Sequence, residues 1–175
     1  MRGLGTVVAV GLAGIAAAVL AVHAATRLDR LHVRTDAAWA ALDAALSRRA
    51  RAVGALGNSA VTPREGGVAV LTAAEVALRA TPGLRADAEN ELGRALAVLD
   101  LATVDAARVA ELADAEQRVV IARRVYNDAV RDTLALRSRR LVRWLHLAGT
   151  APLPRYFDIA EATVSTDPAE PGLPG

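Results

Sequence analysis

The most constraining feature of this chain is an uncharged apolar run near its start. Residues Leu4 to Ala25 form 22 consecutive positions without Asp, Glu, Lys or Arg. A helix of ~20 apolar residues is long enough to cross the hydrocarbon core of a bilayer. The sequence beyond Ala25 is polar-patterned instead. We therefore expect a transmembrane anchor over residues 1–25, followed by a domain outside the bilayer.

A secretory signal peptide is a second interpretation of the same run. Arg2 supplies the basic start of such a peptide, and Val22-His23-Ala24 resembles a small-residue cleavage site. The run is longer than the usual signal core, and the helical pattern continues past it, which favours a retained anchor. Retention predicts a single-pass protein of the cell membrane. Three arginines follow the span closely, whereas Arg2 and the amino terminus precede it, and this asymmetry favours a cytoplasmic domain.

Apolar residues recur at helical spacing along most of the remaining chain. From Thr26 to about Gly57 they repeat every three, four or seven positions, and neither Pro nor Gly separates this stretch from the apolar run. A loop with Gly and Pro follows. A second helical region covers about Val68 to Leu99 and is interrupted at Thr81-Pro82-Gly83. A reversal at Asp100 to Asp105 leads into a last helix that is predicted to end near Leu147.

Composition favours the same fold class. Ala and Leu dominate, and no stretch shows the alternating pattern of a strand between turn residues. The predicted fold is all-α, with an N-terminal transmembrane helix followed by an antiparallel helical bundle of three to four long helices over residues 26–160. The Pro- and Gly-rich residues 161–175 are predicted to be a disordered tail.

Several chemistries receive no support from the residues. The chain has no Cys, so disulfides and thiolate chemistry are excluded. Its 21 basic residues are all Arg and balance 19 acidic residues, so overall charge does not favour nucleic-acid binding. Nucleophile, Walker and H-E-x-x-H motifs are missing. His32 stands between Asp29 and Asp36 on one helix face, but a single His with two carboxylates is a common surface pattern. We expect no enzymatic activity, no catalytic residues, no cofactor and no metal site.

Four segments carry a recognisable pattern. Asp36 to Arg49 reads D-x-A-W…D…L-x-R-R, and Ala88-Glu89-Asn90 follows in the next helical region. Glu111 to Val130 reads E-L…E…A-R-x-x-Y-N-x-x-V, and Pro154-Arg155-Tyr156-Phe157 comes last. In this order the segments resemble the LemA family of bacterial membrane-anchored helical proteins, of which the chain would be a divergent member because it lacks the Pro that usually follows the R-R pair. The resemblance implies an N-terminal anchor and an antiparallel helical bundle, and it brings no established reaction.

Polar residues of the first and last helices form the first candidate site, a structural polar layer. Its members are Asp43, Arg49, Glu116, Arg123 and Tyr126. Counted from each helix start, Asp43 and Arg123 fall at similar heights if the two helices run parallel. A polar pocket is one interpretation of this layer. We favour the other, in which the charges fix the register of the two helices.

An acid-free stretch from Thr133 to Phe157 forms the second candidate site. Its contact residues with an anionic surface would be Arg137, Arg139, Arg140 and Arg143. They suit anionic lipid headgroups or phosphate chains. We favour the other interpretation, a solvated helix end whose arginines complement the helix dipole. Membrane contact requires this end of the helix to lie near the bilayer, which a three-helix arrangement opposes.

These features predict a membrane-anchored helical scaffold or adaptor that acts through protein–protein contacts in a bacterial membrane or envelope process. The alternative is a membrane-anchored sensor, which would bind a small ligand in an apolar pocket between helices. The expected partners are the membrane, through Leu4–Ala25, and membrane or envelope proteins, but not nucleic acid.

Overall fold

The computed structural model describes residues 2–59, 65–138 and 152–159, and within these ranges the fold is all-α. The four helices are α1 (Arg2–Ser59), α2 (Glu65–Arg79), α3 (Arg85–Ala97) and α4 (Ala106–Arg137), with a short 3₁₀ helix at Leu101–Thr103. The fold class predicted from the sequence is confirmed. The predicted tail lies outside the described residues.

Helix α1 is continuous from the apolar run into the first polar-patterned stretch. Among the described residues, one helix is long and apolar enough to cross a membrane, and it is α1 from Val10 to Asn58. The most apolar window of this helix has none of its residues buried within the protein. By length and composition, this helix meets the requirements of a membrane anchor and also those of a signal sequence.

The chain divides into two compact units, and the first consists of Met1–Arg49 and Ala110–Phe157. Three contacts between α1 and α4 define its register: Arg34 with Asp132, Trp39 with Tyr126, and Arg49 with Glu116. Numbers rise along α1 as they fall along α4, so the two helices are antiparallel. The parallel alignment used to compare Asp43 with Arg123 is therefore wrong. The antiparallel register nevertheless places these two residues at similar levels, since both lie between the second and third contacts.

Apolar stripes at three- and four-residue spacing form the core of this unit. Leu42 and Leu46 of α1 are fully buried, as are Ala129 and Val130 of α4. Full burial of one such leucine stabilises the fold by roughly 1.5–3 kcal/mol relative to leaving it in water. The stripes explain why the helices pair along these faces and leave the charged residues outside.

The second unit contains Ala50–Val109, and its described residues include the end of α1 together with α2 and α3. Gly57 makes a close approach possible, because a Cβ atom there would lie 3.1 Å from Leu71 Cγ and 3.3 Å from the Gly67 carbonyl oxygen. Gly66 and Gly67 were expected in a loop, but they lie in the first turn of α2. Small residues at both positions of this approach allow the backbones to come together.

The breaks between the later helices follow the sequence signals. Pro82 and Gly83 lie in the turn between α2 and α3, as predicted. Asp100 accepts a hydrogen bond from the Ala102 amide, and Asp105 accepts one from the Ala107 amide at the start of α4. Helix α4 extends to Arg137, and its predicted end at Leu147 lies outside the described residues. Residues 139–151 lie outside the described ranges.

Candidate functional site

Three aromatic rings from separate parts of the chain meet in the first unit. The Trp39 ring of α1 lies edge-on to Tyr126 of α4, with centroids 5.4 Å apart, and edge-on to Phe157, with centroids 5.9 Å apart. Such edge-to-face pairs contribute about 0.5–1.5 kcal/mol beyond the area that they bury. Phe157 is itself buried. The cluster therefore fixes α1, α4 and the C-terminal segment (residues 152–159) to one another.

Two neighbouring polar side chains of α4 hold the backbone of the C-terminal segment. The Tyr126 hydroxyl donates to the Arg155 carbonyl oxygen at 2.9 Å. The Asn127 side chain donates to the Phe157 carbonyl oxygen at 3.1 Å and accepts from the Phe157 amide at 2.9 Å. Burial raises the pKa of the Tyr126 phenol, and the nearby charge of Asp36 raises it further. Tyr126 was assigned to the polar layer from the sequence, and the structure places it in this cluster.

The polar layer contains one largely buried arginine. Arg49 is 7% exposed, and its Nε atom lies 3.6 Å from Glu116 Oε1. Removing the carboxylate would take one partner from a guanidinium in a nearly dry position, and weakening the pairing of a buried charge is costly. Asp43 and Arg123 are both half-buried at similar levels of the same helix pair. Within the layer, burial is therefore greatest at Arg49, and the register-fixing function stays a prediction.

A second ion-pair group on the same helices is exposed. Asp114 lies 2.9 Å from Arg118 Nε and 3.7 Å from Arg48 Nη2, and all three side chains are about half exposed. The hydrogen bond from Arg118 is the largest cause that holds the pKa of the Asp114 carboxyl below its ordinary value. Solvent screens such pairs, so their contribution to stability is small. Their charges are instead accessible to a partner.

One buried ion pair was not singled out by the sequence analysis. In α3 the Arg85 Nε atom lies 3.3 Å from Glu89 Oε1, and the two side chains are 2% and 0% exposed. The four-residue spacing was visible in the sequence, but it marks a pair and not its burial. The buried contact between the Thr35 and Thr133 hydroxyls, 3.0 Å apart, was also missed. Both pairs are polar groups inside the fold, where each requires a partner.

Arg137, the first arginine of the acid-free stretch, lies where the sequence argument did not place it. Leu136 packs against Leu28, with Ala24 and Leu31 around them, so the end of α4 lies beside the end of the apolar run. The expectation that this end points away from the bilayer boundary is therefore wrong, because α4 returns antiparallel to α1. Arg137 donates to the Pro152 carbonyl oxygen at 3.2 Å. Arg139, Arg140 and Arg143 lie outside the described residues.

No group of three or more His, Asp or Glu residues in the described ranges is arranged to hold a metal ion. His32 is half-buried, whereas Asp29 and Asp36 are exposed. Two surface grooves remain as candidate binding sites. One follows α1 across the end of the apolar run, and the other lies between α2 and α3 near Thr81.

Comparison with known proteins adds no relative to this picture. No protein-family model matches the chain, and neither do curated proteins or solved structures. The functional argument therefore depends on the residues and their contacts.

Proposed function

We propose that this protein is a membrane-anchored helical scaffold or adaptor, which acts through protein–protein contacts in a bacterial membrane or envelope process. The observation that carries the proposal is the continuity of α1, which runs from the apolar segment into the helix pair without a break. A helix shared by an anchor and a packed domain holds that domain at the membrane surface. The arginines after the span favour the cytoplasmic side.

We also propose that the chain is a divergent member of the LemA family. Supporting this, residues from three of the segments that carry the resemblance lie in contact. Trp39, Tyr126 and Phe157 share ring contacts, and Asn127 binds the backbone of Phe157. Motif residues that are distant in sequence but pack together in the fold are expected if the motif preserves this packing within a family.

The partner surface in this proposal is the charged, outward side of α4. Arg124 and Arg131 are exposed there, as is the group formed by Asp114 and Arg118. Exposed charges of this kind form contacts that salt weakens. We assign the protein no reaction, cofactor or metal of its own, because the pattern of the residues supplies none.

The experiment places a photo-crosslinking residue at Arg124 in the full chain and irradiates native membranes. We expect a defined crosslinked partner that is lost in molar salt and lost when Arg131 is changed to Glu. A crosslinker at the fully buried Ala129 is the matched control and should capture nothing. A partner that survives molar salt unchanged would contradict the charged surface and indicate an apolar interface, such as close packing of the Leu4–Ala25 helices. Substrate turnover that Glu116→Gln abolishes would contradict a purely structural function.

A further inference from the structure

The antiparallel pairing of α1 and α4 gathers arginines at the boundary of the apolar run. Arg27 and Arg30 of α1 are exposed, and they lie two and five residues beyond Ala25. The Leu28–Leu136 contact brings the end of α4, with Arg137, to the same level. Asp29 is the acidic side chain interspersed with them on α1, so this end of the pair carries excess positive charge.

At the same level, the lining of the groove along α1 changes from apolar to polar side chains. It has a volume of about 690 Å³. Ala18, Val19 and Val22 line its apolar part, and Thr26, Arg27 and Arg30 line its polar end. The Thr26 hydroxyl donates to the Val22 carbonyl oxygen at 2.9 Å, so the polar side chains of the groove that remain to meet a ligand are those of His23, Arg27 and Arg30. An apolar wall that ends in two arginines complements an acyl chain with an anionic headgroup.

We propose that the arginines at this level of the helix pair, Arg27 and Arg30 at the groove and Arg137 at the end of α4, form a juxtamembrane arginine collar that binds anionic phospholipid headgroups of the leaflet where the span ends. The proposal rests on the membrane anchoring proposed above. Continuity with the apolar run identifies a membrane lipid as the occupant, because the groove would already lie among acyl chains. Guanidinium groups pair phosphate oxygens in a bidentate geometry, which suits this headgroup chemistry. Three further arginines follow Arg137 in the sequence within six residues.

The test uses the full chain reconstituted in phosphatidylcholine vesicles that contain a trace of spin-labelled lipid. Electron spin resonance then gives the association constant of labelled phosphatidylglycerol relative to labelled phosphatidylcholine. Each basic residue near an anionic surface contributes about 1 kcal/mol, so two arginines support a preference of up to about 30-fold. We expect a clear preference in the unaltered chain, and we expect the double variant Arg27→Gln/Arg30→Gln to lose most of it.

A matched control separates the collar from net charge. Arg51→Gln/Arg108→Gln removes the same charge from exposed positions of α1 and α4 that are distant along each helix from the collar arginines, and it should keep the preference. Equal losses in the two double variants, or no preference in the unaltered chain, would overturn the proposal. So would abolition of the preference by millimolar inorganic phosphate, which would assign the site to a soluble anion.

The same preparation distinguishes the two proposals. Flotation with the vesicles after an alkaline wash reports anchoring alone. A chain that floats but shows no lipid preference contradicts the collar and leaves the anchor standing. A chain that is washed off contradicts the anchor and the collar together.

Discussion

The buried ion pair of α3 gives the sharpest prediction about stability. Glu89→Gln keeps the size and shape of the side chain but removes its charge, and it leaves the Arg85 guanidinium in a position that is 2% exposed. Removing one partner of a buried pair costs about 3–5 kcal/mol, because the other charge stays desolvated. We expect a loss in that range, which is a large part of the 5–15 kcal/mol typical of a domain.

The chain supplies a matched control for this experiment. Glu75 and Arg79 of α2 have the same residue types and the same four-residue spacing, with a separation of 3.6 Å, but their side chains are 68% and 81% exposed. Glu75→Gln should therefore change the free energy of unfolding by no more than about 0.5 kcal/mol. Burial is the variable that differs most between the two variants.

Urea unfolding of the full chain in a mild detergent, followed by circular dichroism, measures both free energies. The double variant Arg85→Met/Glu89→Leu should recover most of the loss, because it removes both charges and fills the space with apolar atoms. The reasoning is refuted if Glu89→Gln costs no more than Glu75→Gln, or if the two substitutions at the pair are additive.

Three further predictions concern the remaining contacts. Asp43→Ala should cost about 1–3 kcal/mol, and adding Arg123→Leu should recover part of it; additive losses in a double-mutant cycle would show that the two do not interact. Tyr126→Phe should cost about 0.5–1.5 kcal/mol by removing one hydrogen bond. Because the pKa of Tyr126 is raised in the folded state, stability should fall as pH rises above 10.0, and unfolding curves of the Phe variant should lack that share of the dependence. Gly57→Ala should lower the unfolding midpoint, because its Cβ would meet Leu71 at 3.1 Å, whereas Gly66→Ala meets nothing within 4 Å and should not lower it; equal midpoints would contradict the close approach.

The sequence was sufficient for the helices because their signals are local. Apolar spacing, the Pro82-Gly83 break and the capping residues Asp100 and Asp105 each act within a few residues. The direction of pairing between α1 and α4 is not local. The sequence analysis compared the positions of Asp43 and Arg123 as if α1 and α4 were parallel, and that alignment is wrong. In the antiparallel alignment the two residues still lie at similar levels.

The sequence analysis named polar residues of the first and last helices, but it did not predict their contacts. Arg49 and Glu116, which the sequence analysis placed in one polar layer, form an ion pair, but the sequence analysis did not pair them with each other. The two hydrogen bonds between the Asn127 side chain and the Phe157 backbone could not be predicted, since the two residues are 30 positions apart in the sequence. The location of Arg137 beside the apolar run also follows from the antiparallel return of α4, which no residue spacing reveals.

The central claim is that α1 holds the helix pair at the membrane as an uncleaved anchor. It is tested most directly by carbonate extraction of native membranes, followed by the intact mass of the protein in the pellet. The account predicts that the protein remains in the pellet and that its mass includes residues 1–25. Recovery of a soluble form that begins near Ala25 would contradict it.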